Sequence, residues 1–267
     1  MKILTCIKEV IKDVKEFDEN GFIKRKGVKL RLNKNDLYAI EQALILKDGR
    51  ENVNVEVLTM GNNSAESILK EAMSMGVDNG FLLSDESLAG ADTIATARAL
   101  ADVIKEAGNF DIVILGEYAS DSISGVLGGM VGEKLNYNII QNVSKIIQVE
   151  ENKITVESSI DNDIFKVQSN LPVLLTVRES KVIPRFPNYI DVLRAEKTEI
   201  KKINLNKNKN EYGYLGSDIV VKGIKEVNSK KENKTKEGIK LENKVYEGTT
   251  SELVGVLEET LKKLDII

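Results

Sequence analysis

VNVEVLTMGNNSAESILKEAMSMGVDNGFLL, residues 53–83, is the stretch that decides the expected fold of this chain. Val53–Met60 is predicted to be a strand, because its apolar and β-branched residues form a run of strand length. Ser64 is predicted to cap a helix that runs to Met75, and Phe81–Leu83 is strand-like again. A strand, a helix and a second strand in this order predict parallel strands joined by a crossover helix.

Similar units lie on both sides of this stretch. Lys2–Ile7 is a short β-branched run, and Asp36–Lys47 has apolar residues at helical spacing behind Asn35, a candidate N-cap. Further predicted elements are a helix at Asp92–Ala107, a strand at Ile112–Leu115 and a Gly-rich helix at Ser122–Leu135. We therefore expect an α/β fold with a doubly wound, mostly parallel sheet, which binds ligands outside the carboxyl ends of its strands.

The pattern changes after Asn136, where strands follow one another with little helix between them. This change predicts an antiparallel extension of the sheet. The predicted strands are Val143–Val149, Lys153–Ser159, Ile164–Val167 and Val173–Val177.

The last part of the chain has a different composition. Lys197–Asn243 is rich in Lys, Asn and Glu and has few apolar residues, so it cannot bury much surface by itself. Ser251–Leu264 has the spacing of an amphipathic helix. We expect an α/β domain at residues 1–196 and, at 197–267, an extended arm that ends in this helix.

The composition excludes several kinds of function. A net charge of −4 and a pI near 5.3 argue against a nucleic-acid surface. The chain has no histidine and one cysteine, Cys6, which excludes an internal disulfide, His-based triads and most zinc sites. Redox chemistry would therefore come from a bound organic cofactor. The apolar runs have strand length and the N-terminus does not resemble a secretory signal, so we expect a cytoplasmic protein without membrane insertion.

The segment Val156–Thr176, VESSIDNDIFKVQSNLPVLLT, is similar to the signature of electron-transfer flavoprotein β subunits. Asp161, Asn162 and Asp163 form the acidic turn of that signature, and Leu171–Thr176 forms its closing Leu-Pro and apolar strand. Ser158 and Ser159 stand where the family has a basic residue.

Other blocks resemble the same family in the same order along the chain. They are the first strand with Lys8 after it, Gly27–Asn33, Met60-Gly61, Met75–Gly80, Asp111–Gly116 and Pro184–Phe186. The resemblance implies a Rossmann-like fold of the adenine-nucleotide α-hydrolase-like type that binds FAD or AMP.

Ala89–Ala97, AGADTIATA, resembles β subunits of the electron-bifurcating branch, which carry a second FAD where the simpler branch carries AMP. Asp92, Thr93 and Thr96 lie at a predicted helix N-terminus, where free N–H groups and the helix dipole favour a pyrophosphate. The alternative is that Asp92 or Thr93 is only a helix cap.

The run after Gly116, EYASDSISGVLGGM, is the expected phosphate loop. The resemblance places Asp121, Ser124 and Gly128 at cofactor-binding positions, whereas Val126 and Leu127 replace polar residues of the family. Backbone donors of a Gly-rich loop can still bind phosphate. The alternative is that the glycines only allow a helix to pack closely on the sheet.

The resemblance also assigns Cys6, Asn33, Met60, Gly61 and Gly116 to the cofactor site. Cys6 could instead be a small buried apolar residue, and Asn33 could be an ordinary turn residue before a helix.

Residues 184–194, PRFPNYIDVLR, resemble the loop with which the family recognises its dehydrogenase partner. We expect Pro184, Arg185, Tyr189 and Arg194 to contribute, with Tyr189 as the anchoring side chain. Tyr189 could instead pack on its own subunit.

The resemblance implies an electron carrier that pairs with an α subunit holding its own FAD. The arm and final helix at residues 197–267 would wrap around that subunit. In the bifurcating branch, NADH reduces the FAD of the β subunit, and electrons pass to an acyl-CoA dehydrogenase and to ferredoxin or flavodoxin. Two alternatives stay open: a non-bifurcating carrier with AMP in this subunit, and an adenine-nucleotide-binding regulator similar to universal stress proteins.

Overall fold

The computed structural model describes residues 1–12, 28–161, 163–205 and 209–219, together with 254, 255, 258, 259 and 262. The chain divides into two compact units, Met1–Ile224 and Lys225–Ile267. The elements named below belong to the first unit. The described residues 254, 255, 258, 259 and 262 are helical, and the rest of the predicted terminal helix lies outside the described residues, as do Asn162 of the acidic turn and most of the predicted arm.

The elements between residues 34 and 135 alternate between helix and strand, as predicted, whereas the short strands at residues 9–11 and 30–32 were not predicted. The elements up to residue 135 are β1 Lys2–Cys6, β2 Glu9–Ile11, β3 Leu30–Leu32, α1 Lys34–Asp48, β4 Asn54–Met60, α2 Glu66–Ser74, β5 Asn79–Leu83, α3 Thr93–Ala107, β6 Ile112–Gly116 and α4 Leu127–Leu135. The elements that follow are β7 Asn138–Glu150, β8 Lys153–Ile160, β9 Asp163–Asn170, β10 Val173–Val177, α5 Tyr189–Lys197 and β11 Lys201–Ile203.

Within the described residues, nine strands form one sheet in the order β11-β5-β4-β1-β6-β10-β7-β8-β9. The pairs from β11 to β7 are parallel, and β7, β8 and β9 are antiparallel. This arrangement confirms the doubly wound α/β fold, and β7, β8 and β9 confirm an antiparallel extension. The prediction was wrong for Val173–Val177, because β10 lies between β6 and β7 and is parallel to both, as its mostly apolar and fully buried run allows. β2 and β3 form a separate antiparallel pair. β11, which lies within the predicted arm, is the edge strand of the main sheet.

The sheet has a hydrophobic core on each face. Alternation along β1 directs Ile3 into the core under α1 and α2, and Leu4 into the core under α3 and α4. Every residue of β10 is buried, as expected for a central parallel strand covered on both faces. Among the described helices, none is both long and apolar enough to cross a membrane.

Three predicted helix starts were wrong. α1 begins directly after Asn33, whose extended backbone makes it the N-cap in place of Asn35. Before α2, the capping side chain is that of Asn62, which accepts a hydrogen bond from the Ser64 N–H at the start of a short 3-10 turn. α4 begins at Leu127 rather than Ser122, because the positive φ angles of Ile123 (47°) and Gly125 (66°) are incompatible with a helix.

Candidate functional site

A cavity of about 400 Å³ opens at the carboxyl ends of β1, β4 and β6. The chain runs outward from β1 to β4 and β5, then returns through α3 to place β6 on the other side of β1. The cavity therefore lies at the topological switch point, where open α/β sheets bind their ligands. Its lining combines apolar side chains, such as Leu88, Leu115 and Leu127, with polar groups from several loops.

One wall of the cavity is built around the buried carboxylate of Asp36. Its Oδ2 accepts a hydrogen bond from the Lys8 N–H at 2.7 Å, and its Oδ1 accepts one from Asn33 Nδ2 at 3.0 Å. Gly116 allows this arrangement, since a Cβ there would lie 2.2 Å from Asp36 Oδ1. We call Lys8, Asn33, Asp36 and Gly116, with the loop they support, the first wall.

That loop, residues 117–126, is named the β6 loop. Asn33 holds it, because Asn33 Nδ2 donates to the Tyr118 carbonyl at 2.9 Å and Asn33 Oδ1 accepts from the Ser120 N–H at 3.2 Å. Asn35 Nδ2 donates to the same carbonyl at 3.2 Å. Both amide side chains therefore fix the loop that closes the cavity.

Lys8 brings a positive charge to the first wall. Its Nζ lies 2.7 Å from Asp121 Oδ1, and the Asp121 side chain is fully buried. The acidic residues Glu9, Asp92 and Glu117 also line the cavity. Ser64 Oγ donates to Glu9 at 2.7 Å, and Arg178 lies 3.9 Å from Glu117. The lysine is thus placed among several acidic groups.

Burial changes the protonation of two groups in this wall. It raises the pKa of Asp36 to about 7, even though the hydrogen bonds from Asn33 and Lys8 favour the ionised form. Burial, together with the charge of Asp36, raises the pKa of Cys6 to about 12. The Cys6 thiol therefore stays protonated at neutral pH and does not act as a nucleophile.

The opposite side of the cavity, the second wall, is formed by residues 88–92 and the first turn of α3. Asp92 caps this helix, since its Oδ1 accepts a hydrogen bond from the Ala95 N–H at 2.8 Å. Its Oδ2 accepts from the N–H groups of Asp218 and Ile219 at 2.9 and 3.0 Å. Thr96 Oγ1 donates to the Asp92 carbonyl at 2.7 Å, so this hydroxyl proton is already used within the helix.

Residues 209–219 form a segment that we call the strap, and it lies along α3. The fully buried Tyr212 donates from its hydroxyl to Asp102 Oδ2 at 2.8 Å. Arg98 Nη1 donates to the carbonyl oxygens of Glu211 and Gly216 at 2.5 and 3.2 Å. The strap is thereby attached to the helix whose N-terminus borders the cavity.

The structure brings most of the predicted cofactor residues together around the cavity. Those that line it are Cys6, Asn33, Met60, Gly61, Asp92, Thr93, Thr96, Gly116 and Ser124. Asp121 and Gly128 are not among the lining residues. Asp121 pairs with Lys8, and Gly128 lies under Thr176, whose Cγ2 would be 2.2 Å from an added Cβ. Gly128 therefore allows α4 to pack closely on the sheet, and cofactor contact by the predicted residues stays a prediction.

Sequence reasoning missed two residues of the first wall. Asp36 appeared only as the start of a helix, and Lys8 appeared only as part of a resembling block. An acidic residue three positions after Asn33, at the carboxyl edge of the sheet, was the available signal for Asp36. Periodicity could not show that the carboxylate turns inward.

The predicted partner loop has anchored and exposed members. Arg185 donates from Nε to Glu41 Oε2 at 2.9 Å and from Nη2 to Asp48 Oδ2 at 2.7 Å, which fixes the half-buried Pro184 segment to α1. Arg194 Nη2 donates to the carbonyl oxygens of Met73 and Val77 at 3.2 and 3.1 Å and so fixes α5 to α2.

Two aromatic side chains project from this anchored loop. Tyr189 is 76% exposed, so it does not pack on its own subunit, and Phe186 is 89% exposed. The two aromatic side chains are therefore more exposed than those of Arg185 and Arg194, and partner contact by the loop residues named from the sequence stays a prediction.

The polar and apolar groups of the lining suit the binding of a ligand. Among the residues that the structure describes, no cluster of Cys, Asp and Glu could hold a metal ion. A doubly wound sheet with a mixed polar and apolar cavity at its switch point defines a Rossmann-like α/β protein that takes its ligand at the carboxyl edge.

Sequence comparisons give the family within this class. The electron transfer flavoprotein domain matches residues 20–208. The chain is 34% identical to the electron transfer flavoprotein subunit beta of Megasphaera elsdenii, over 76% of this chain and 78% of that protein. It is 32% identical to the subunit beta of Thermoanaerobacterium thermosaccharolyticum over the full length of both. It is 34% identical to the caffeyl-CoA reductase-Etf complex subunit CarD of Acetobacterium woodii, over 73% of this chain and 75% of that protein.

The chain belongs to the electron transfer flavoprotein β-subunit family. This membership confirms the resemblance identified from Val156–Thr176 and the other blocks, and it gives electron transfer as the general function.

Proposed function

We propose that this chain is the β subunit of a heterodimeric flavoprotein and that its cavity holds the adenine-nucleotide part of FAD. The observation that carries the proposal is the cavity at the switch point of a chain from this family, closed by the β6 loop on one side and by the start of α3 on the other. When bound, the flavin supplies the electron-carrying chemistry, and the protein supplies binding and orientation.

The lining fits an adenine nucleotide in size and chemistry. Small-ligand pockets occupy roughly 300–1,000 Å³, and this cavity has about 400 Å³, enough for the adenosine and phosphate part of the cofactor. Met60, Leu88 and Leu115 offer apolar surface to a ring and exclude water. Lys8 offers a cation to a phosphate, and the Gly-containing β6 loop offers backbone N–H groups.

Bifurcation is the finer form of the proposal. In this form NADH donates to the FAD of this subunit, and the electrons pass to an acyl-CoA dehydrogenase-type enzyme and to ferredoxin or flavodoxin. Its support is the segment Ala89–Ala97, whose Asp92, Thr93 and Thr96 line the second wall. The relative CarD is named as part of a caffeyl-CoA reductase complex, which is compatible with an acyl-CoA-type partner.

A carrier with AMP in this subunit is the second candidate. Two observations favour it: Val126 and Leu127 replace polar side chains, and the Thr96 hydroxyl proton is committed to the Asp92 carbonyl. Both reduce the side-chain donors available to a second phosphate.

The nucleotide content of the heterodimer distinguishes the two candidates. The chain is co-expressed with its proposed α subunit, and the nucleotides released by denaturation are quantified. Two FAD per dimer support the bifurcating form, whereas one FAD and one AMP support the simple carrier. A stable colourless homodimer without nucleotide contradicts both.

The second wall is tested by replacing threonine hydroxyls. Thr93→Val and Thr96→Val should lower nucleotide retention in this subunit if the hydroxyls contribute to binding. Thr198→Val is the matched control, because the Thr198 hydroxyl also donates to the carbonyl four residues earlier, that of Arg194, and Thr198 does not line the cavity. Equal retention in all three variants removes the two hydroxyls from the proposed site.

The partner loop predicts a separate effect on electron transfer. We propose that Phe186 and Tyr189 insert into the dehydrogenase partner, and that Pro184, Arg185 and Arg194 hold the loop in place. Phe186 is 89% exposed and Tyr189 is 76% exposed, which supports the insertion of these two side chains into a partner.

A further inference from the structure

Asp92 has no free carboxylate oxygen in this structure. Oδ1 accepts from the helix N–H of Ala95, and Oδ2 accepts from the strap N–H groups of Asp218 and Ile219. The strap donors are more than 120 residues further along the chain, since the Asp92–Asp218 separation is 126. One carboxylate thus joins the start of α3 to a remote segment.

The strap also contacts the back of the second wall through a backbone N–H group and a side-chain hydroxyl. The Tyr214 N–H donates to the Ala89 carbonyl at 2.9 Å, and the Asp92 N–H donates to Ser217 Oγ at 2.8 Å. Gly213 packs so closely that an added Cβ would lie 2.0 Å from the Ser87 carbonyl oxygen.

Residues 88–92 therefore face the cavity on one side and contact the strap on the other. Leu88, Gly90, Ala91 and Asp92 line the cavity, while the hydrogen bonds of Ala89 and Asp92 hold the same turn against the strap. Because packed segments of this kind do not deform independently, the strap fixes the position of the wall that a ligand contacts.

The charge of Asp92 also argues against direct binding of a phosphate at this helix N-terminus. An ionised carboxylate already occupies the helix N-terminus and uses the donors that an anion would otherwise receive. Burial opposes its ionisation, but the backbone hydrogen bonds lower the pKa of Asp92 overall, so it remains charged at neutral pH.

We propose that Asp92 is a positioning residue for the nucleotide cavity rather than a ligand of the phosphates: its carboxylate clamps the strap to the start of α3, and this clamp sets the affinity of the cavity. The proposal rests on the nucleotide site proposed above and changes the role of one residue in it. It requires that residues of the clamp control affinity even when they do not touch the ligand.

The test compares three variants of the full chain. Asp92→Asn removes the charge and one of the two acceptor oxygens, and Ser217→Ala removes the hydroxyl that accepts from the Asp92 N–H without changing the cavity lining. Asp111→Asn is the matched control, since Asp111 Oδ2 accepts from the Lys2 N–H at the opposite edge of the sheet.

Affinities for adenosine and AMP are measured by calorimetry on nucleotide-free protein, and exchange of the strap amides is measured by mass spectrometry. We expect Asp92→Asn and Ser217→Ala to weaken both ligands by the same factor, about tenfold, with faster exchange at residues 209–219. Asp111→Asn should leave both affinities unchanged.

The outcomes separate this proposal from the function on which it rests. If Asp92→Asn changes the affinity for AMP but not for adenosine, Asp92 acts on the phosphate and the positioning role is wrong. If both clamp variants bind like the wild type, the clamp is irrelevant although the site is real. Wild-type chain that binds neither ligand, alone or with its partner subunit, overturns the nucleotide site itself.

Discussion

The two walls of the cavity differ in how they are held. The first wall depends on side chains that are almost fully buried, since Asn33 is 2% and Asp36 is 4% exposed. The second wall depends on Asp92 and on a strap whose Tyr214 and Leu215 are 52% and 71% exposed. A buried network is lost only when the surrounding core opens, whereas an exposed segment can detach locally. The first wall should therefore follow the stability of the whole domain, and the second should respond separately.

Substitution of Gly116 should have the largest effect. A methyl group there would lie 2.2 Å from Asp36 Oδ1 and 2.9 Å from Asn35 Cβ, so Gly116→Ala should lower the free energy of unfolding by about 3 kcal/mol. Urea denaturation measures the loss. Gly49→Ala is the control, because its Cβ would meet its nearest neighbour at an ordinary 3.4 Å, and it should change stability by less than about 0.5 kcal/mol. A tolerated alanine at residue 116 would show that the first wall adapts easily.

The first wall and the contact between Asp85 and the strap should respond to pH in opposite directions. Burial raises the pKa of Asp36 from 3.8 to about 7, so between these values the folded state holds a proton that the unfolded state releases. Stability should then fall as the pH rises through this range, by at most about 1.4 kcal/mol per unit. Hydrogen bonds from the Ser87 N–H and from Lys209 lower the pKa of Asp85 to about 2. The stability that ionised Asp85 contributes to the folded state should therefore be lost as the pH falls from about 4 to 2.

Urea titrations across these pH ranges measure both effects. Asp36→Asn should remove the pH dependence of the unfolding free energy between about pH 4 and 7. Asp85→Asn should remove it between about pH 2 and 4. If the same variant removes the pH dependence of stability in both ranges, the first wall and the strap contact of Asp85 are not independent.

Tyr212→Phe should have a smaller effect that is confined to the strap. It removes the 2.8 Å hydrogen bond to Asp102 but keeps the buried ring, which should cost about 1 kcal/mol. Hydrogen exchange should increase at residues 209–219 and stay unchanged at the β6 loop. Tyr137→Phe is the control, because it removes a similar bond to the Phe110 carbonyl outside the strap. Faster exchange in the β6 loop of Tyr212→Phe would contradict the separation of the two walls.

Tyr189→Ala should have the smallest effect on the fold. The side chain is 76% exposed, so stability should change by less than about 0.5 kcal/mol, and nucleotide affinity should not change. Reduction by a partner dehydrogenase should nevertheless be slower, which steady-state kinetics would show. An equal loss of nucleotide affinity would connect this loop to the cavity and break the comparison.

Much of the fold could be predicted because its signals are local. The alternation of helix and strand between residues 34 and 135 agrees with the structure, and so do the antiparallel strands β7, β8 and β9. The short strands β2 and β3 were not predicted, and β10 is parallel to both of its neighbours instead of antiparallel. Other errors fell at helix starts such as that of α4, where the φ angles of Ile123 and Gly125 follow from the loop geometry rather than from periodicity. Most of the predicted site residues line one cavity, because loops at the carboxyl ends of neighbouring parallel strands must lie close together.

The sequence by itself determined the α/β class, the family and the lack of histidine-based chemistry, since composition and hydrophobic period are properties of the chain alone. Only the tertiary structure decided that Asp36 turns inward against Gly116 and that Asp92 binds strap residues 126 and 127 positions away. The reason is that hydrophobic patterns repeat over a few residues, whereas hydrogen-bond partners depend on which distant segments the fold places side by side.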